Sequence, residues 1–151
     1  MIYRPYQPPD FAALYAVEEA CFEPLFRFSR RYMRQLLNRI DSAAWVAEED
    51  GRLVAFAIVG WSGPPGAVIA YIETIEVLAG MRGKGAGSEL LRRIEAAALA
   101  AGACVIALHV DAENQAAIHL YEAHGYRQAG REENFYPEGR AALVFRKPLA
   151  A

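Results

Sequence analysis

The sequence has no long apolar run, no block of like charge and only two cysteines. A membrane-crossing helix needs about 20 consecutive apolar residues, and no segment supplies them, so no membrane partner is expected. The opening residues, Met1 to Pro5, lack the apolar stretch of a secretory leader, so none is expected. Lys and Arg number 16 against 18 Asp and Glu, a net charge of −2. Without a basic stripe, the footprint of a general nucleic-acid binder is missing. Cys21 and Cys104 have neither a CxxC partner nor metal-ligand spacing, which argues against a disulfide framework and for a reducing, cytoplasmic setting. Both read as structural, Cys104 because it sits in an apolar run where a free cysteine behaves as a small hydrophobe. His109, His119 and His124 also lack ligand spacing, and no metal is expected.

What the chain does have is core-forming material. Its 151 residues are 54% hydrophobic. A chain of this size buries roughly 68–70% of its unfolded surface without disulfide staples. One α/β domain over 1–151 is expected, with no repeat and no linker. Ile2 to Tyr6 reads as a short strand. Asp10 is placed to cap a helix bearing Phe11, Leu14, Tyr15, Val17 and Cys21 at helical spacing, and Ser29 a second with Tyr32, Met33, Leu36, Leu37 and Ile40 on its apolar face. Two strands flank Asp50-Gly51, a two-residue hairpin signal. Val68 to Val77 is a long strand. A helix reaching about Ala101, a buried strand Val105 to Val110, a helix from Asn114 to about His124, and strands at Tyr126 to Gln128 and Ala142 to Arg146 complete the chain.

The chemistry concentrates where the long strand meets the following helix. Glycines stand at 83, 85 and 87, interleaved with Lys84 and Ala86, preceded by Arg82 and followed by Ser88. The first N–H groups of a helix have no internal partner and the dipole there is positive, so such an entry favours anions. Glycine lets backbone approach a phosphate closely. The pattern G-x-x-x-x-G-K-[ST] is absent, because only two residues separate Gly80 from Gly83. G-x-G-x-x-G fails too, its third glycine arriving one residue early. What stands there is R-x-x-G-x-G, from Arg82 to Gly87.

This motif resembles the pyrophosphate-binding loop of the GNAT acetyltransferases. Asn114, Ala117, Tyr121, Gly125 and Tyr126 fit that family's second segment, N-x-x-A-x-x-x-Y-x-x-x-G-[FY]. The stretches Glu133 to Pro137 and Val144 to Lys147 resemble the closing strands of members acting on protein N-termini, the bacterial ribosomal-protein alanine N-acetyltransferases and their eukaryotic counterparts. The resemblance implies a mixed sheet of about seven strands with about four helices, splayed between two parallel strands, and acetyl-CoA as cofactor. Backbone of Ile75, Glu76 and Val77 would pair with the pantetheine arm. Arg82, Gly83, Lys84, Gly85, Ala86, Gly87 and Ser88 would hold the pyrophosphate, with Asn114, Ala117 and Tyr121 completing the site. The implied acceptor is a peptide or protein N-terminus, or a small amine, and the implied assembly a monomer or homodimer.

Acetyl transfer to an amine needs a base for the amine and a proton for the leaving thiolate. His109, ending a buried strand, is the candidate base. It stands where the bacterial enzymes carry Glu and some eukaryotic ones carry His, the latter together with a tyrosine that corresponds to Tyr71. The plainer alternative is a core histidine. Glu73 is the rival base, on Tyr71's face if the strand pairs regularly. Tyr121 is the candidate acid or thiol anchor, or else a core aromatic. His119 is expected to be solvated, and His124 to complement a helix C-terminus. Phe22, Pro24, Leu25 and Phe26, facing Phe135 and Tyr136, could wall a peptide slot or simply cover the core.

Overall fold

The computed structural model describes residues 1–149. Its strands are β1 (Ile2–Pro5), β2 (Ser42–Glu49), β3 (Arg52–Ser62), β4 (Val68–Val77), β5 (Ala103–Asp111), β6 (Arg127–Glu132) and β7 (Ala142–Pro148). Its helices are α1 (Phe11–Cys21), α2 (Arg30–Asn38), α3 (Ala86–Ala100) and α4 (Gln115–Ala123). The seven strands form one sheet in the order β1-β2-β3-β4-β5-β7-β6. β4 and β5 are parallel, and the other neighbours are antiparallel.

The two faces of the sheet are covered separately. Alternate residues of β3 point opposite ways, so Phe56 and Ile58 meet Leu14, Val17, Met33 and Leu36 of α1 and α2. Ala55, Ala57 and Val59 meet Leu90, Leu91 and Ile94 of α3, with α4 adding Ile118 and Tyr121. The α3 stripe is fully buried, each such side chain contributing about 1.5–3 kcal/mol. Asp50 and Gly51 both take positive φ, 52° and 77°, as a two-residue primed turn between β2 and β3 requires.

Several local expectations change. Asp10 does not cap α1. Its carboxylate instead accepts from the Gln7 amide and from Arg4, because the chain enters α1 through a tight turn at Pro8–Asp10. Ser29 does cap α2, accepting from Tyr32 N. That helix ends at Asn38, before β2 begins at Ser42, which leaves Ile40 96% exposed rather than on an apolar face. Cys104 is exposed, not buried, because it lies where the β4–β5 register shifts, and its thiol donates to Val68 O at 3.4 Å. Cys21 is half-buried and unbridged.

Two irregularities shape the centre of the sheet. Pairing of β4 with β5 runs from Val68–Ala103 to Ile72–Leu108 and stops, although both strands continue. Beyond Ile72 the strands splay. On its other side β4 pairs Ile72 with Val59 and Thr74 with Ile58, which makes Glu73 the extra residue of a bulge. The alternation inverts there: Ile75 and Val77 pack on the α3 face, while Glu76 is buried beside Glu18 of α1.

Candidate active site

The splay opens into a cleft of about 410 Å³. Ile75, Glu76 and Val77 of β4 form one side, Arg82, Gly83, Gly85, Ala86, Gly87 and Ser88 the loop and first turn of α3, and Asn114 and Ala117 the far side. Thus the two glycine-rich and asparagine-led segments, distant in sequence, meet at one opening. Lys84 and Tyr121 are not part of the lining. Lys84 is exposed, and Tyr121 is buried, packing edge-on against Tyr126 at 5.5 Å.

The loop glycines have different reasons. Gly85 takes φ +83° as the residue before α3, and the space where its Cβ would stand is open. The first α3 hydrogen bond runs from Glu89 N to Gly85 O at 3.0 Å, so the amides of Ala86, Gly87 and Ser88 precede the intrahelical ladder. Gly87 instead serves packing, since a Cβ there would touch Leu120 of α4 at 3.4 Å. Arg82 folds back, its Nε donating to Val77 O at 3.1 Å, and so ties the loop to the end of β4. Asn114 Oδ1 caps α4 by accepting from Ala117 N. His124 reaches across to α3, its Nε2 3.0 Å from Ser88 Oγ. His119 is exposed.

On the α1–α2 face of the splay, β4 and β5 bring Tyr71 and His109 together. Tyr71 Oη lies 2.8 Å from His109 Nδ1. Burial, reinforced by nearby Glu73 and Tyr136, holds the Tyr71 phenol above its ordinary range, so it stays protonated. His109 Nε2 lies 3.1 Å from Glu132 Oε1, and Phe135 stacks on the ring at 4.2 Å, 12° from parallel. The sequence pattern pointed to neither Glu132 as a partner of His109 nor Phe135 as its stacking face. Glu132 lies two strands away from His109, and β6 reaches it through a bulge between Gln128 and Gly130 that hides the register.

Glu73, the bulged residue of β4, lies on Tyr71's face, near enough to add to burial in raising that tyrosine's hydroxyl. The Glu73 carboxylate turns to Arg39, 3.5 Å away, and makes no hydrogen bond to Tyr71 or His109 among the described residues. Gly60 makes room for this contact, because a Cβ there would stand 2.8 Å from Arg39 Nη1. Burial raises the Glu73 carboxyl above its usual range, with Arg39 opposing. Tyr121 approaches the splay from the opposite face, and burial, then Tyr136 and Tyr71, raise its hydroxyl.

Of the residues after α1 expected to wall a peptide slot, only Phe26 is tied, among the described residues, to the loop that follows Tyr136. Phe26 lies under the Arg140 guanidinium at 4.9 Å, joining the loop after α1 to the loop before β7. Arg140 is also paired with Asp111 at the end of β5. Phe135 and Tyr136 meet edge to face at 4.9 Å, and burial pushes the Tyr136 hydroxyl up to about 12. Phe22 also borders the splay cleft, whereas Pro24 and Leu25 are exposed.

The acetyltransferase (GNAT) family profile matches residues 11–126. The chain belongs to this family. It is 37% identical over 113 residues, 72% of its length, to a streptothricin acetyltransferase of Streptomyces lavendulae. It is 27% identical over 136 residues, 87% of its length, to the N-alpha-acetyltransferase MAK3 of Arabidopsis thaliana. The matches span 59% of the first relative's length and 70% of the second's. Among solved structures, the ribosomal-protein-S18-alanine N-acetyltransferase of Escherichia coli superposes with a TM-score of 0.87 at 24% identity, over 99% of this chain and 94% of that one. That likeness shows the fold, and the seven-stranded mixed sheet with its parallel β4–β5 pair is the fold of the family.

Proposed function

We propose that this member of the GNAT family transfers acetyl from acetyl-CoA to a primary amine, preferentially the N-terminal α-amine of a peptide or protein. The observation that carries the reading is the splay itself: an unpaired β4 edge and a glycine-rich helix entry on one side, the Tyr71–His109 pair on the other.

The residues present fit acetyl-CoA. The amides of Ala86, Gly87 and Ser88 and the open space at Gly85 make a cradle for a pyrophosphate. Ile75 to Val77 would offer backbone to the pantetheine arm along the unpaired β4 edge, and an amide near Val77 would donate where negative charge develops. Asn114 and Ala117 close the far side. Acetyl-CoA supplies the acyl group as a thioester, and no covalent enzyme intermediate is invoked. His109, with Tyr71, accepts the amine proton. Tyr121, kept protonated by burial, would supply the proton for the departing thiolate and regain one from solvent as coenzyme A leaves. Phe22, Pro24, Leu25 and Tyr136 flank the acceptor.

The α-amine is favoured by magnitude. Neutralising it at pH 7 costs about 1–1.4 kcal/mol, against about 4.6 for lysine. The likeness to an N-alpha-acetyltransferase points the same way. A second reading, a small-molecule amine as acceptor, is favoured by the 37% identity to streptothricin acetyltransferase. Unbridged cysteines support a cytoplasmic setting. No helix among the described residues is long and apolar enough to cross a membrane.

Release of coenzyme A thiol from acetyl-CoA, measured with an N-terminal peptide library, with small amines and without acceptor, tests the reading. Transfer to peptides is expected. Transfer to small amines alone would select the second reading, and no amine-dependent release would overturn both.

A further inference from the structure

The carboxylate at His109 has no place in the function proposed so far. Glu132 ends β6, an edge strand, and its side chain is 52% exposed, yet Oε1 lies 3.1 Å from His109 Nε2. The His109 side chain is only 20% exposed. From Tyr71 outward, the hydroxyl, the imidazole and the carboxylate therefore form an unbroken line leading from the half-buried strand face to water.

We infer that Glu132 is a positioning residue for acetyl transfer: it fixes the His109 tautomer and opens the exit by which the acceptor's proton reaches solvent. The inference rests on the acetyl-transfer reading above. The Tyr71 hydroxyl, 2.8 Å from Nδ1, can donate to a lone pair there or accept from an N–H, so it does not choose the tautomer by itself. An ionised carboxylate can only accept, so the nitrogen facing Glu132 must carry a hydrogen. Neutral His109 then has one arrangement that satisfies both neighbours, hydrogen on Nε2 and a lone pair on Nδ1. The parallel Phe135 ring, 4.2 Å away, fixes the imidazole plane in which both contacts are made.

The proton balance follows. As the amine attacks, one N–H bond breaks and its proton passes to Tyr71 Oη. The Tyr71 proton moves to His109 Nδ1. The imidazolium so formed keeps its Nε2–H against Glu132, whose negative charge offsets the new positive one. Loss of the Nε2 proton to water along Glu132, then loss of the Nδ1 proton to solvent as water returns one to Nε2, restores the resting tautomer with one proton released net. Nothing is oxidised or reduced.

The experiment compares Glu132→Ala and Glu132→Gln with the unaltered protein. Long-range ¹H–¹⁵N correlation of His109 reads the tautomer without any turnover. Hydrogen on Nε2 is expected in the unaltered protein and in Glu132→Gln, whose amide carbonyl still accepts, and loss of that preference is expected in Glu132→Ala. Turnover on an acceptor peptide should fall at least roughly tenfold in Glu132→Ala, short of the roughly 10²–10⁴ for losing a base outright. The Michaelis constant for acetyl-CoA should stay unchanged. Glu132→Gln should recover part of the rate, since it restores the hydrogen bond and not the charge. An unmoved tautomer in Glu132→Ala, or full turnover, would overturn the inference. If the unaltered protein acetylated no amine, the acetyl-transfer reading would fail on that arm alone, while the spectra would still report whether Glu132 sets the tautomer.

Discussion

His109 is held by Tyr71 at one nitrogen, Glu132 at the other and Phe135 on its face, contacts that a histidine buried only for packing would not need together. If it takes the amine proton, His109→Ala should lower turnover by roughly 10²–10⁴, the usual worth of general base catalysis. Acetyl-CoA affinity should hold, because His109 does not line the cleft. Glu73→Gln is the competing test. Its carboxylate faces Arg39, so near-normal turnover is expected. Steady-state rates of both variants decide, and a large loss in Glu73→Gln with little in His109→Ala would move the base to Glu73. The pair Tyr71 and His109 was legible in the sequence through its family resemblance. Glu132 was not, since a solvent-facing glutamate on an edge strand looks like any other until the register of three strands is known.

At the scale of elements, apolar patterning, the Asp50-Gly51 turn signal and cap residues together located seven strands and four helices, though β6 runs to Glu132 rather than ending at Gln128. The 3.6-residue stripe of α3 reports its buried face. What periodicity could not show was the bulge in β4, which has no marker in a run of ordinary strand residues and yet inverts every side chain after Glu73. The inversion buries Glu76 against Glu18, and each carboxyl keeps one oxygen without a hydrogen-bond partner. Burial first, and Glu18 second, push the Glu76 carboxyl from its ordinary 4.5 up to about 10. The folded protein therefore keeps a proton that the unfolded chain releases above 4.5. Stability from this site is fully present below that value and falls as pH rises toward the folded one, since the native state binds more protons throughout the interval. Glu76→Gln removes the titration while keeping the shape. Its melting temperature relative to the unaltered protein should therefore rise steadily between about pH 5 and about pH 9. Parallel melting curves across that range would show that the Glu76 proton is not coupled to folding.

At the scale of the whole molecule, the site is a seam between two halves of one sheet, joined through β4–β5 pairing only as far as Ile72 and Leu108. Past that point β4 keeps its partner on the β3 side alone, and its other edge carries backbone groups that no strand satisfies among the described residues. A ligand able to lie along that edge while seating an anion at the α3 entry bridges both sides of the seam. It should therefore raise the stability of the folded state as a unit. Acetyl-CoA at about 100 times its dissociation constant should add about 2.7 kcal/mol, read as a rise in melting temperature. ATP and NAD share the pyrophosphate but have no pantetheine arm for the β4 edge, so at equal concentration their shifts should be much smaller. Gly85→Val separates the two contributions. Its φ of +83° suits glycine, so the variant starts less stable by roughly 1–3 kcal/mol. The room for its side chain means the fold itself should survive. That room is where the pyrophosphate would approach, so the acetyl-CoA shift should shrink sharply from the variant's own baseline. An undiminished shift in Gly85→Val would place the anion elsewhere. Equal shifts from ATP and acetyl-CoA would mean that the open edge of β4 contributes nothing to binding.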